Sequence, residues 1–477
     1  MSLPVLCLVA YVLVLGVLAI HGIHRLVQLR WWWRRKPVAL DLSGRPHVTI
    51  QVPLFEEKHV ARRVIQAVGA LRWPTDRLQI QVLDDSCDTT TDIARSEVDR
   101  LRDQGLNAQL IHRDDRTGFK AGALANAWES ATGEWIAVFD ADFVPEPEWL
   151  EQVAPALRPD VDVVQTRWGH LNADENALTI VQSVMLDGHF AIEHAARQAA
   201  GLWFNFNGTA GLWRKAAIER AGGWKHRTLV EDLDLSYRAQ LGGARFVFLS
   251  DVVAPAELPS DLDAFLVQQQ RWAAGTTQTA RYLLGPIWRS DASFAHKLEA
   301  TSHLCANASW PFVVALALLL PGAVAGRLSG DVPSLVWIDV VLFGLALAPF
   351  GLWYTAAILH TGGRWRLVWL PVVFALGLGI AVAQTRAFFQ GLLADVGPFA
   401  RTPKKGETVR STYRSPTHSG LPELLLALWT SLAFIPVWQG GDYASVPFVA
   451  LFVGGFGWVG LTSLRRQSSR AKPGVSR

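Results

Sequence analysis

The chain has 477 residues, of which 50% are hydrophobic and 18% are charged, and its formal net charge is +3. This length is too great for one ordinary domain, and so small a net charge, with no basic arm or low-complexity tail, does not indicate nucleic-acid binding. The cysteines, Cys7, Cys87 and Cys305, form no CxxC pair and are odd in number, which argues against a zinc module and a disulfide framework.

The chain begins with an almost uncharged apolar run at 3–27. The run is longer than the apolar core of a signal peptide, and no small-x-small cleavage site precedes the next charges. Three tryptophans at 31–33 then stand before the basic residues 34–36, which is typical of an interfacial aromatic belt followed by a positive-inside cluster. We therefore predict a retained transmembrane anchor over 1–33, with its C-terminal side in the cytosol.

Short β-rich runs alternate with helical stretches in the next part of the chain. The predicted strands are 47–55, 78–85, 108–113, 135–140 and 161–167, and the predicted helices include 60–71, 88–104 and 121–131. This alternation implies βαβ units and a mostly parallel sheet, with ligands at the carboxyl ends of the strands. We therefore predict an α/β cytosolic domain over 34–262.

Acidic residues fall at two of these strand ends. Asp84 and Asp85 close one strand, and Asp140 and Asp142 close another. Because Asp140 and Asp142 are two residues apart, they face the same way on extended backbone. Such a pair can hold one divalent ion and leave positions for water and donor phosphates, where the metal would stabilise a departing diphosphate. The alternative is an acidic turn after a strand, and so short a motif does not decide between them.

The sequence Glu231-Asp232-Leu233-Asp234 offers acids among aliphatic residues. A transferase that inverts the anomeric carbon needs a carboxylate to deprotonate the acceptor hydroxyl. The alternative is a set of acids at a helix N-terminus, favoured there by the helix dipole.

Gln268, Arg271 and Trp272 lie on one surface of a predicted helix. Arginine can clamp a diphosphate with two hydrogen bonds, and the indole can stack on a sugar. The alternative is an amphipathic helix anchored at the membrane surface, which would place the site at a channel mouth. Earlier in the chain, Lys120 lies in a glycine-flanked segment that opens a helix and could hold phosphate.

Apolar runs dominate the remainder of the chain. They are 309–325, 334–359, 367–382, 421–437 and 446–464. Because the C-terminal tail and the loop 401–414 are basic, we predict that both are cytosolic, which requires an even number of crossings after the soluble domain. The run 367–382 is bounded by Arg364 and Arg366, and we interpret it as interfacial or re-entrant. The chain would then have about five spans with its N-terminus outside; six spans with a translocated loop are the alternative.

Taken in order, these elements resemble the processive family-2 glycosyltransferases, which include cellulose, hyaluronan and mannan synthases. That family carries a DD, a DxD, an ED and a QxxRW, here Asp84/Asp85, Asp140/Asp142, Glu231/Asp232 and Gln268/Arg271/Trp272. Its F-x-V-T-x-K gating loop is matched by Phe399, Thr402 and Lys404, with Arg401 in place of valine. Longer stretches, at 73–77, 81–86, 120–124, 206–211 and 221–225, resemble the glucomannan 4-β-mannosyltransferase type of cellulose-synthase-like protein.

The resemblance implies a GT-A-type domain joined to an α-helical transmembrane bundle, and it assigns roles to residues by motif. It implies donor binding by Asp84, Asp85, Lys120, Gln268 and Arg271, metal binding by Asp140 and Asp142, catalysis by Asp232 with Glu231, and acceptor binding by Trp272, Asn207 and Gly208. The metal would be Mg²⁺ or Mn²⁺. Glu56 stands where the family usually has asparagine, so the nucleotide contact expected there is open.

These roles imply an inverting, metal-dependent, processive β-glycosyltransferase with GDP-mannose as donor and a β-1,4-mannan or glucomannan as product. The alternatives are a UDP-glucose-dependent β-glucan synthase, a non-processive enzyme that glycosylates a lipid such as ceramide, and a transporter with a non-catalytic cytosolic domain. The expected partners are a nucleotide-sugar donor, a growing polysaccharide and the lipid bilayer, without nucleic acid. The sequence indicates no protein partner.

The expected organisation places interface helices at 263–305 and a transmembrane channel at 306–477. That channel region would include an interface segment at 367–395 and a gating loop at 399–414. The expected location is a bacterial inner membrane or, in a eukaryote, the Golgi, with the catalytic domain in the cytosol.

Overall fold

Seven strands form one sheet in the computed structural model, which describes residues 2–37, 44–330, 333–394, 404, 406 and 418–471. The strands are β1 (Val48–Leu54), β2 (Leu78–Asp84), β3 (Asn107–His112), β4 (Trp135–Val138), β5 (Val163–His170), β6 (Gly211–Arg214) and β7 (Phe246–Ala256). Their spatial order is β3-β2-β1-β4-β6-β5-β7. Only β6 runs antiparallel to its neighbours, β4 and β5, within this sheet. The prediction of a mostly parallel sheet is confirmed.

The sequence prediction missed β6 and β7 and placed β5 too early. β6 has only four residues, which is too short for a period-two pattern to be recognised. β7 contains Asp251 and Pro255, which interrupt its apolar run. β5 was predicted to end at residue 167, but its pairing with β7 continues to His170 after a shift in register at Thr166/Arg167.

Nine α-helices of the described residues lie in the first half of the chain, one before the sheet and the others between or after its strands. They are α1 (Leu3–Trp33), α2 (Ala61–Gly69), α3 (Thr90–Asp103), α4 (Phe119–Asn126), α5 (Trp149–Val153), α6 (Ala177–Asp187), α7 (Ala195–Ala199), α8 (Lys215–Arg220) and α9 (Glu231–Leu241). A π-helix, Gly188–His194, joins α6 to α7. The predicted helix 121–131 is therefore shorter, and it begins two residues earlier, as α4.

The second half of the described chain is helical. Its helices are α10 (Leu262–Arg289), α11 (Phe294–Leu304), α12 (Ser309–Leu328), α13 (Pro333–Thr361), α14 (Leu370–Gly379), α15 (Ala381–Leu393), α16 (Leu421–Ser431), α17 (Phe434–Gly440) and α18 (Val446–Ala471). Short 3₁₀ segments occur at Thr75–Arg77, Ala154–Ala156, Ala306–Ala308, Arg364–Trp369 and Tyr443–Ser445.

Five described segments are long and apolar enough to cross a membrane. They are Leu3–Trp33, Ala306–Leu328, Ser334–Thr361, Leu421–Gly440 and Tyr443–Gln467. A further pair, Arg364–Gly379 and Ala381–Leu393, is bent by 46° at its break, so it is either a broken span or a re-entrant segment. The bend lies in the run predicted to be re-entrant, and its geometry is compatible with both five and six spans.

Helix α1 packs along α12 and α13 and also contacts α7 and the π-helix. At Gly22 the approach is so close that an added Cβ would lie 1.9 Å from the carbonyl oxygen of Leu345. Small residues allow membrane helices to approach in this way. The N-terminal helix is therefore integrated with the rest of the molecule.

Candidate active site

A cavity of about 180 Å³ opens where β1, β2 and β4 end. Most of the predicted site residues line it: Asp85, Lys120, Asp140, Asp142, Asn207, Gly208, Glu231, Asp232, Gln268, Arg271, Trp272 and Lys404. The carboxyl ends of parallel strands thus gather motifs that lie up to about 320 residues apart in sequence, as expected for an α/β sheet. We call this space the first cavity.

Each carboxylate of the Asp140/Asp142 pair is held by a lysine. The ammonium nitrogen of Lys120 lies 2.5 Å from Oδ1 of Asp140, and that of Lys404 lies 2.5 Å from Oδ2 of Asp142. The backbone N–H of Asp140 donates to the hydroxyl of Thr209. The two carboxylates are therefore fixed at one edge of the first cavity, with their negative charge already compensated.

The donor chemistry of this pair fits a divalent cation. Carboxylate oxygens suit Mg²⁺ and Mn²⁺, and Asp140 and Asp142 both face the first cavity. Among the described residues, no three His, Cys, Asp or Glu side chains converge to form a complete protein cage. The pair therefore fits a metal that completes its coordination with water and the phosphate oxygens of a ligand.

Asp84 and Asp85 occupy different environments. Asp84 is fully buried: its Oδ1 accepts from the N–H of Ser86 at 3.1 Å, and its Oδ2 accepts from the hydroxyl of Thr91 at 2.6 Å. It does not line the first cavity and shapes the loop after β2. Asp85 does line the cavity, and Arg113 holds it with two hydrogen bonds of 2.8 and 2.6 Å.

Two aromatic features of the first cavity were missed from the sequence. The guanidinium carbon of Arg116 lies 3.3 Å from the ring centroid of Phe55, and both residues line the cavity. The indole of Trp168 lies 6.5 Å from that of Trp272. Trp168 belongs to the part of β5 beyond the predicted strand end, so a longer strand prediction would have placed it at the site.

Asp232 is a half-buried acid that lines both of the cavities at the site. It follows Glu231 at the start of α9, and its Oδ1 accepts from the N–H of Leu233 at 2.8 Å. Burial and, after it, the neighbouring charge of Glu231 together raise the pKa of Asp232 to about 7, against the opposing effect of Lys120. Such a carboxyl can exchange a proton near neutral pH.

Gly208 allows the backbone to pass directly beside this acid. Its φ is +79°, and an added Cβ would lie 3.0 Å from Oδ2 of Asp232. Its carbonyl oxygen accepts from Lys120 at 2.8 Å. Burial lowers the pKa of Lys120, but the charges of Asp140 and Glu231 outweigh burial and raise it, so the lysine remains a cation.

The motif residues of α10 divide between two spaces. Arg271 lines the first cavity but not the second, and burial lowers the pKa of its guanidinium, whereas the charges of Glu231, Asp140 and Asp232 raise it. Gln268 and Trp272 line the first cavity and also a second cavity of about 350 Å³. The QxxRW spacing thus places its side chains at the boundary between the two spaces.

The second cavity continues from the first toward the apolar helices. The two share Trp168, Asn207, Val230, Asp232, Gln268 and Trp272. Farther along, the second cavity is lined by Arg25 of α1 and by Phe350, Trp353 and Tyr354 of α13. Asp232 therefore lies where a polar cavity in the α/β domain meets a cavity that extends among helices long enough to cross a membrane.

Of the predicted gating loop, Phe399 and Thr402 lie outside the described residues, whereas Lys404 is described. Gly406 follows Lys404, and its N–H donates to Oε2 of Glu257 at 3.1 Å. Lys404 therefore lies at the edge of the first cavity, and Gly406 lies beside Glu257.

Residues 46–275 match the family model described as "Glycosyltransferase like family 2". The chain is 44% identical over 257 residues to glucomannan 4-beta-mannosyltransferase 1 of Oryza sativa subsp. japonica, a match that covers 53% of this chain and 49% of the relative. It is 40% identical over 305 residues to probable glucomannan 4-beta-mannosyltransferase 10 of Arabidopsis thaliana, covering 60% and 55% of the two chains. The chain thus spans about half the length of the curated relatives it matches.

A solved mannosyltransferase from Pyrobaculum calidifontis, in complex with GDP-Man and Mn²⁺, superposes with a TM-score of 0.51 at 21% identity. The match covers 80% of this chain and 99% of that one, and at this identity it shows the fold alone. The GT-A fold and the family resemblance found in the sequence are confirmed. Residues 46–275 form a glycosyltransferase domain that matches family 2, and over this region the chain is similar to plant glucomannan 4-beta-mannosyltransferases.

Proposed function

We propose that the protein is an inverting, metal-dependent, processive β-mannosyltransferase that extends a β-1,4-mannan or glucomannan from GDP-mannose and moves it across a membrane. The observation that carries the proposal is the position of Asp232, a half-buried acid with a pKa of about 7 at the junction of the two cavities. The first cavity would hold the donor and the second cavity would hold the growing saccharide. Asp232, which would take the proton, lies between them.

The charges of the first cavity suit a nucleoside diphosphate. Asp140 and Asp142 would hold Mg²⁺ or Mn²⁺, which would supply positive charge to the departing diphosphate when bound. Arg271 and Lys120 would bind the phosphates, with Gln268 beside them. Asp85 would contact the nucleoside. Asp84 accepts hydrogen bonds from Ser86 and Thr91 and so would stabilise the loop after β2.

The reaction follows from this arrangement. Asp232 takes the proton of the acceptor hydroxyl, whose oxygen forms a bond to the anomeric carbon. The bond between that carbon and the phosphate oxygen breaks, and GDP leaves with the electron pair. Because attack and departure occur on opposite faces of the sugar, the configuration at the anomeric carbon inverts, and no protein acid is required for the leaving group.

The position of the second cavity supports a processive reaction, in which the acceptor stays bound between additions. Trp272, Asn207 and Gly208 would bind the terminal sugar, and the cavity leads from there toward α1 and α13. We further propose that the catalytic domain, residues 34–262, is cytosolic, that 263–305 lies at the interface, and that the helices of 306–477 form the path across the membrane in a multi-pass arrangement. Phe399, Thr402 and Lys404 would close over the donor.

The proposal is tested with purified protein in lipid vesicles, supplied separately with radiolabelled GDP-mannose and UDP-glucose, with and without EDTA. We expect a polymer from GDP-mannose that mannanase degrades and cellulase does not, and no polymer in EDTA. A cellulase-sensitive polymer from UDP-glucose would contradict the donor assignment. A labelled glycolipid with no polymer would contradict processivity, and the absence of transfer from both donors would contradict the enzymatic proposal.

A further inference from the structure

The π-helix Gly188–His194 forms part of the wall of the second cavity. Single π-helical turns are rare and often occur at functional sites. His189 and Glu193 of this turn line the cavity, and His194 is buried behind them. The two histidines contact Asn207, which borders both cavities.

One side of the Asn207 amide is defined by His194. Nε2 of His194 lies 3.1 Å from the carbonyl oxygen of Asn205 and 2.7 Å from Oδ1 of Asn207. A carbonyl oxygen can only accept, so Nε2 carries the hydrogen and donates. The Asn207 atom that faces it must therefore be the amide oxygen.

The other side of the amide is defined by His189. Nδ2 of Asn207 lies 3.0 Å from Nε2 of His189, and Nδ1 of that ring lies 3.3 Å from Oε2 of Glu193. Burial disfavours the charged form of Glu193, but Arg197 and Arg25 outweigh burial and hold the pKa of Glu193 well below its usual range. The carboxylate therefore accepts from Nδ1, which leaves Nε2 as the acceptor for the Asn207 amide.

This assignment leaves the Asn207 amide with one further N–H beside the acid. The amide has two N–H groups, and His189 accepts one of them. The next residue, Gly208, lies directly against Asp232. Two histidines thus orient the amide so that its remaining donor is available in the region where both cavities meet.

Arg25 forms the far side of the same region. Its guanidinium carbon lies 4.5 Å from the ring centroid of Trp353 and 5.5 Å from that of Phe350, and it pairs with Glu193 at 3.2 Å. Because this pairing balances its charge, the wall presents N–H donors and aromatic faces without demanding an anion. A neutral polyhydroxyl ligand fits this chemistry better than a phosphate or a lipid headgroup.

We propose that His189 and His194 lock Asn207 as a hydrogen-bond donor to the terminal sugar of a saccharide acceptor, in a subsite completed by Arg25 on Trp353 and Phe350. His189 is a positioning residue in this subsite, because both of its ring nitrogens are engaged with protein atoms. That the ligand is a saccharide acceptor rests on the proposed function. To that function the proposal adds the residues that orient the acceptor.

The test measures binding without requiring turnover, through the fluorescence of the tryptophans that line the cavity. Purified full-length protein is titrated with manno-oligosaccharides and cello-oligosaccharides as wild type, His189→Ala, His189→Gln and Asn207→Ala. His170→Ala is the matched control, because it breaks a histidine–carboxylate contact with Asp187 outside both cavities. We expect His189→Ala and Asn207→Ala to raise the dissociation constant about fivefold, the effect of losing one hydrogen bond, whereas the control does not.

Glutamine at position 189 can still accept from Asn207 and donate to Glu193, so His189→Gln should recover most of the affinity. In transfer assays the KM for the acceptor should rise in His189→Ala and Asn207→Ala and recover in His189→Gln, while the KM for the donor stays constant. Unchanged binding by folded His189→Ala, or no recovery in His189→Gln, would overturn the proposal, as would a wild type that binds neither saccharide. Saccharide binding without transfer from GDP-mannose or UDP-glucose would instead support the subsite and contradict the proposed function.

Discussion

The ammonium nitrogen of Lys404 lies 2.5 Å from a carboxylate oxygen of Asp142, although the two residues are 262 positions apart. This contact places a protein cation on one of the two proposed metal ligands. A metal ion must therefore compete with Lys404 for Asp142.

We predict that Lys404→Met binds Mn²⁺ more tightly than the wild type in the absence of donor, by about tenfold, which corresponds to ~1.4 kcal/mol. The reason is that the competing positive charge is removed. Calorimetric titration with Mn²⁺ measures the change, with the exposed Lys225→Met as control. Equal affinity in Lys404→Met and wild type would show that this contact does not oppose metal binding. The Asp142→Asn substitution, which weakens the metal site itself, should abolish metal-dependent donor binding.

The Asp232→Asn substitution should lower the transfer rate by about 10²–10⁴-fold, the usual contribution of a general base. The amide keeps the size of the side chain but cannot take the proton of the acceptor. Donor affinity, measured by equilibrium binding of GDP-mannose, should be retained. Near-normal turnover in this variant would exclude Asp232 as the base, and the exposed Asp251→Asn serves as the control.

The pH dependence of kcat/KM should show an acidic limb near pH 7. Asp232 must be ionised to act as a base, and burial raises its pKa to about 7, so activity falls as pH drops below that value. Because the charge of Glu231 also raises this pKa, Glu231→Gln should move the limb to lower pH. A limb that stays in place in Glu231→Gln would show that another group controls it.

Trp272→Ala should give shorter polymers with little change in donor affinity. The indole borders both cavities, and stacking on a planar ring contributes about 1 kcal/mol beyond area burial. A small loss in retention is amplified over many additions, so product sizing is the sensitive measurement. Trp288→Ala on the same helix is the control, because Trp288 is half exposed and lines neither cavity. If Trp272 serves instead as a membrane anchor, expression should fall while chain length stays normal.

Cys87 offers a natural reporter of topology, because it is exposed in the loop after β2. With Cys7 and Cys305 replaced by serine, a membrane-impermeant maleimide should label Cys87 only after cells are permeabilised. This outcome follows if the catalytic domain is cytosolic. Labelling in intact cells would place the domain outside. A cysteine introduced in the loop 401–414 then tests the span count, since outside labelling there supports six spans.

The sequence predicted those parts of the fold that depend on local patterns. The strands β1 to β4 were predicted within about two residues at either end, because short runs rich in apolar residues mark them and acids follow at the ends of β2 and β4. β6 and the end of β5 depend on pairing with distant strands, which leaves no local signal. The same limit explains why Trp168 was missed.

At the site, the motifs predicted which residues lie close together but not which hydrogen bonds and ion pairs each of them forms. Asp84 and Asp85 are adjacent and chemically identical, yet one is buried under a loop and the other faces the cavity. The lysine on each metal-binding candidate and the two histidines around Asn207 arise from chain segments that meet only after folding. The spacing of residues within a motif carries no information about such contacts.

The charged contacts of α1 have a consequence for how the protein is made. Arg25 pairs with Glu193 at 3.2 Å and His24 with Glu299 at 2.8 Å, while the buried Arg197 joins both carboxylates. Removing one partner from a buried pair costs about 3–5 kcal/mol, so the catalytic domain reaches its full stability only with α1 in place and α11 already synthesised. Packing of the first helix and maturation of the catalytic domain are thereby linked steps of one assembly process.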